Sequence, residues 1–146
     1  MKRLTPKVYV DTSVYGGVFD PEFAPSSVRF FRQVELGDFK LAISPIVVAE
    51  IERAPLNVRR QFDKFRDTSD NLHITDGVLS LQAAFIKAGF VKVGSEDDAL
   101  HVALAIASGC HLIVSWNFKD IVHFEKIGLY NAVGRFMGYS EIQICS

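Results

Sequence analysis

The chain has 146 residues, 49% hydrophobic and 23% charged, with a formal net charge of −1. That balance suits one folded domain with its own core and excludes both a disordered chain and a protein with a global basic field for nucleic acid. Two cysteines are too few for a disulfide framework or a zinc site, and no apolar run reaches the ~18 residues of a membrane span, so a reducing cytoplasm is the expected location.

In chain order, Lys2 and Arg3 lead into only three apolar residues before Asp11, so no secretory leader is expected. KVYVD, residues 7–11, reads as a first strand that ends on an acid. Residues 24–39 place Val28, Phe30, Phe31 and Val34 on a helical stripe, with Ser26 or Ser27 as N-cap and Gly37 as stop. KLAIS, residues 40–44, forms a second strand, and Pro45 opens a helix over 45–54. Residues 57–69 then space Val58, Phe62 and Phe65 along one helical face. LHIT, residues 72–75, reads as a short third strand, and Asp76 caps a helix over 77–90. Ser95 opens a helix over 96–109 that Gly109 stops. HLIVSW, residues 111–116, is a strong strand; 117–128 begins polar and becomes helical; 141–146 alternates as a last edge strand. No repeat or linker divides the chain, so residues 1–146 form a single α/β domain with a mostly parallel sheet of four to five strands.

In such a sheet, ligands gather beyond the carboxyl ends of the strands, where strand order switches. Asp11 ends the first strand, and Ser115, Asn117 and Asp120 follow the fourth. Asp97 and Asp98 begin the preceding helix, and Glu50 lies in the helix after the second strand. Acids converging at one end repel one another and need a cation, for which hard oxygen donors suit Mg²⁺ or Mn²⁺. Each also has a structural reading. Asp11 suits a helix N-cap worth about 1 kcal/mol. Ser95 with Asp98 suits a capping box, Glu50 an exposed pair with Arg53, and Asn117 with Asp120 a turn.

On 57–69, Arg59, Arg60, Lys64 and Arg66 fall on the outer face, either as a track for phosphates or as a solvated surface. Arg53 and Lys119 lie closer to the acids. His101 shares a helical face with Asp98, either as a satisfied half-buried histidine or as the orienter of a carboxylate. Trp116 either stacks on a base or packs under the sheet edge.

The order VDTS, VVAEIE, DDALHVALAIASGCHLIVSWNFKD resembles the PIN-domain nucleases, including the VapC-like toxin ribonucleases. The resemblance spans Asp11 to Asp120 and implies a three-layer α/β/α fold. It implies an endoribonuclease that hydrolyses RNA phosphodiester bonds with one or two Mg²⁺ or Mn²⁺ ions, and that serves as the toxin of a type II toxin–antitoxin pair. Asp11, Glu50, Asp98 and Asp120 would hold metal, Asn117 would complete the catalytic set, and Thr12, Ser13, Asp97 and Ser115 would support ligands or phosphate. A cognate antitoxin and a homodimer are the implied protein partners. Asn117 stands where some members carry an aspartate, and SVYGG and SWNF point to a subgroup. Two alternatives stand beside this: a catalytically silent PIN fold that binds RNA or protein, and an α/β protein whose acids are caps and surface pairs.

Overall fold

A computed structural model describes residues 5–146 of the chain. Val8, Tyr9 and Val10 are wholly buried, as a strand covered on both faces requires. They belong to β1 (Lys7–Val10), the middle strand of an all-parallel, five-stranded sheet. The order is β3 (Asp70–Asn71), β2 (Lys40–Ile43), β1, β4 (Leu112–Val114), β5 (Gln143–Cys145). Val8 pairs with Leu41 on one side and with Leu112 on the other. The chain leaves β1 for β2 and returns later to β4, so the switch in strand order lies beside β1, where Asp11 emerges.

Helices fill the crossovers and complete three layers. α1 (Thr12–Gly17), α2 (Ala24–Glu35), α3 (Pro45–Glu52) and α4 (Leu56–Arg66) pack together. An aromatic cluster joins three of them: Tyr15 meets Phe31 and Phe62, and Phe31 meets Phe65. α5 (Asp76–Lys87), α6 (Glu96–Ala107) and α7 (Phe124–Phe136) form the second group, with Phe85 edge-on to Tyr130. Pro45 is the first residue of α3 and Ser44 caps it, accepting from Val47 N at 3.3 Å. Gly37 and Gly109 take positive φ just past α2 and α6, as predicted for helix stops.

The structure corrects several sequence expectations. Helix α2 starts two residues ahead of Ser26, so neither Ser26 nor Ser27 caps it; Ser27 is buried within the helix and Val28 is exposed. Ser27 takes the inward place because its hydroxyl receives the Trp116 indole, a requirement invisible to periodicity. The third strand is Asp70–Asn71 rather than 72–75, since Asp70 and Asn71 align with Ala42 and Ile43. Thr75, not Asp76, caps α5 by accepting from Val78 N. Ser95 occupies the α6 cap position without a side-chain capping bond, so the Ser95–Asp98 capping box is not formed. Helix α7 begins at Phe124 and continues past residue 128 to Phe136.

Candidate active site

Asp11 sits at the N-cap position of α1, yet its side chain makes no capping bond. The carboxylate accepts instead from Ser13 Oγ at 2.5 Å, and Ser13 Oγ in turn accepts from Trp116 N at 3.0 Å. The first strand's acid is thereby tied to the loop after β4. Asp11 is only 5% exposed, and burial pushes its carboxyl up despite the Ser13 and Ser115 hydroxyls that favour its charge.

Glu50, on α3, does not form the expected pair with Arg53. Its Oε1 lies 2.6 Å from His101 Nε2. Desolvation is the largest influence and opposes the Glu50 charge, but the His101 hydrogen bond and charge, with Thr12 and Arg53 adding, together hold the carboxyl below its usual range. His101 is buried rather than half-buried, and both ring nitrogens are engaged: Nδ1 lies 2.6 Å from the Tyr9 hydroxyl. The two readings of His101, satisfied core residue and carboxylate orienter, are both met by one side chain.

Asp98 accepts from Asn117 Nδ2 at 3.1 Å, while Asn117 Oδ1 accepts from Asp120 N at 3.0 Å. Asn117 is therefore a clamp between α6 and the loop after β4. Burial first, then repulsion from Asp120, with Asp11 and Glu50 adding, pushes the Asp98 carboxyl up to about 6. Asp97 is exposed and makes no hydrogen bond to the other acids among the described residues.

Asp120 is buried and pairs with Lys126 Nζ at 2.9 Å, also a buried residue. Desolvation works against its charge, but Lys126 more than compensates and holds the carboxyl below the usual range. Lys126 escaped sequence reasoning because a lysine six positions on, across an irregular loop, carries no periodic signal.

Asp11, Glu50 and Asp98 thus come from three parts of the chain to the carboxyl end of the sheet, close enough that Asp11 and Glu50 both act on Asp98. Among the described residues, no three His, Cys, Asp or Glu side chains already stand close enough to enclose an ion. The donors fit a hard cation that keeps several waters, as Mg²⁺ does, better than a closed protein cage. Thr12 Oγ1 is buried beside Asp11 and near enough to Glu50 to favour its charge, without a hydrogen bond of full geometry, and is a polar atom placed to serve such a site.

Around it, Trp116 stacks on Phe23 with ring centroids 5.1 Å apart, and its Nε1 donates to Ser27 Oγ. The indole is thus packed under the rim rather than free for a base. Ser115 is buried and accepts from Asn117 N through its hydroxyl. Arg59, Arg60 and Lys64 are exposed on the outer face of α4, and Arg53 and Lys119 are exposed elsewhere. No helix among the described residues is long and apolar enough to cross a membrane.

The PIN domain family model matches residues 8–119. Among solved structures, VapBC2 from Rickettsia felis, bound to a DNA fragment from its promoter, is similar at 14% identity and a TM-score of 0.60. That similarity covers 94% of this chain and 96% of the other. At this identity it speaks for the fold. No curated protein matches the chain significantly.

Proposed function

The chain belongs to the PIN domain family, and on that premise we propose that it is a metal-dependent endoribonuclease that hydrolyses RNA phosphodiester bonds. The observation that carries this reading is the convergence of Asp11, Glu50 and Asp98, from three elements, at the switch in strand order. Mutually repelling oxygen donors there suit Mg²⁺ or Mn²⁺. When bound, such an ion lowers the pKa of a water and neutralises charge on the scissile phosphate.

The chain's own residues prepare the site. Ser13 and Ser115 orient Asp11, His101 fixes Glu50, and Asn117 fixes Asp98. Asp120, with one oxygen committed to Lys126, is the fourth acid and strengthens the negative field at Asp98. Thr12, beside Asp11 and Glu50, would bond a ligand or water. Arg53 acts on Glu50 and Lys119 on Asp120, and Arg59, Arg60 and Lys64 would extend a phosphate track along α4.

The fold shared with VapBC2 accords with reading the chain as the toxin of a type II pair with a cognate antitoxin as its protein partner, and the resemblance to PIN-domain nucleases adds a homodimer as its working form.

The test is cleavage of labelled single-stranded RNA, structured RNA and single-stranded DNA with Mg²⁺ or Mn²⁺, with EDTA and Asp11→Asn as controls. RNA cut only with metal and only by the wild type supports the proposal. RNA retained on the protein but uncut under every condition would replace it with a silent binding module.

A further inference from the structure

Tyr9, Ser44 and His101 form a polar thread through the apolar core, each 3% exposed or less. Buried polar groups persist where their bonds are complete, and with the imidazole in its neutral form the direction of every bond follows. Glu50, as a carboxylate, only accepts, so His101 Nε2 donates to it across 2.6 Å. Nδ1 of that ring is then an acceptor, and the Tyr9 hydroxyl 2.6 Å away donates to it. Having given up its proton, the Tyr9 oxygen accepts from Ser44 Oγ at 2.8 Å. Ser44 Oγ in turn accepts from Val47 N. In the opposite direction, the Ser44 hydroxyl proton finds no acceptor among the described residues.

The thread joins the three elements that carry the acids. Tyr9 lies on β1, two residues before Asp11; Ser44 caps α3, which bears Glu50; His101 lies on α6, three residues after Asp98. We propose that the directed chain Val47–Ser44–Tyr9–His101–Glu50 is a brace that sets the aim of Glu50 and the spacing of the three acids, with Tyr9 and His101 as positioning residues. This rests on the reading of those acids as a cation site. The Tyr9 oxygen is the critical atom, because Tyr9→Phe keeps the ring and removes only the link. It leaves the Ser44 proton and His101 Nδ1 without partners, so the imidazole is free to turn away from Glu50.

Two measurements test this on the full chain. Long-range proton–nitrogen correlation spectra of the ion-free wild type, with the His101 signal identified by its loss in His101→Gln, are expected to show Nε2 protonated and Nδ1 bare. Calorimetric titration with Mn²⁺ is expected to show affinity falling ~10-fold or more in Tyr9→Phe, with circular dichroism unchanged and kcat reduced more than KM is raised. A His101 ring protonated at Nδ1, or wild-type Mn²⁺ affinity in Tyr9→Phe, would overturn the brace. If the wild type itself takes up no Mn²⁺, the cation-site reading fails, and the nitrogen signature still decides the direction of the chain.

Discussion

Asp98 and Asp120 are neighbouring acids with opposite histories. Burial and repulsion push the Asp98 carboxyl up to about 6 from an ordinary 3.8, so the folded state binds its proton more tightly than the unfolded state does. Its contribution to stability is full below the ordinary value and lost as pH rises through about 6. Asp98→Asn is therefore expected to raise the Tm of the ion-free protein by about 2–4 °C above neutral pH, the equivalent of ~1 kcal/mol for a half-buried, partly screened group. Near pH 3 it should change little. Scanning calorimetry in EDTA at both pH values checks this, and a fall in Tm at neutral pH would return Asp98 to a structural role. Asp120 has its pKa lowered by Lys126, so its contribution is present above the ordinary carboxylate range and lost as pH falls through the lowered value. Lys126→Met leaves a buried carboxylate unpaired and should cost about 3 kcal/mol at neutral pH, a difference that fades in acid unfolding curves. Only the resemblance to PIN-domain nucleases pointed to Asp98 as a candidate site acid, and the partners that tune it were not legible. His101 meets Glu50 across 51 positions, a pairing that only the fold creates.

At the scale of elements, α1 shows why one glycine of the pair at 16–17 is required. A Cβ on Gly17 would fall 2.6 Å from Trp116 Nε1 and collide with Ser27 Oγ, the pair that ties α2 to the loop after β4. Gly17→Ala is expected to cost about 1–3 kcal/mol in urea unfolding and to loosen Trp116, visible as a shifted indole emission. A Cβ on Gly16 would meet only Val58, at an ordinary 3.9 Å, and Gly16→Ala should be mild by comparison. Helix α4 was legible from sequence in both its faces: Val58, Phe62 and Phe65 are buried, and the cations are outside. Replacing Arg59, Arg60 and Lys64 by alanine should weaken RNA binding across sequences. It should also lower the salt slope by about 1 for each phosphate no longer neutralised, measured by fluorescence anisotropy at several salt concentrations. Strand β3 was the least legible element. Two exposed residues, Asp70 and Asn71, become a strand only because Ala42 and Ile43 offer them an edge.

Across the whole molecule, the chain order of strands and helices was enough to predict a parallel α/β sheet with its site beyond the carboxyl ends. The reason is physical: parallel neighbours require crossovers, and crossovers set the direction of every strand. What the order of elements leaves open is the interior wiring, from Asn117 as a clamp to the thread through Tyr9, because such bonds depend on side-chain approach between distant segments. The candidate site is a tertiary object in which the end of β1, α3 and α6 each bring one carboxylate and the loop after β4 holds two of them in place. The most direct measurement is calorimetric titration of Mn²⁺ into the wild type, Asp11→Asn, Glu50→Gln and Asp98→Asn. Uptake by the wild type is expected, with each substitution lowering affinity at least ~10-fold while the variants remain folded. Equal uptake by all four proteins, or none by the wild type, would contradict a cation site built from these three acids.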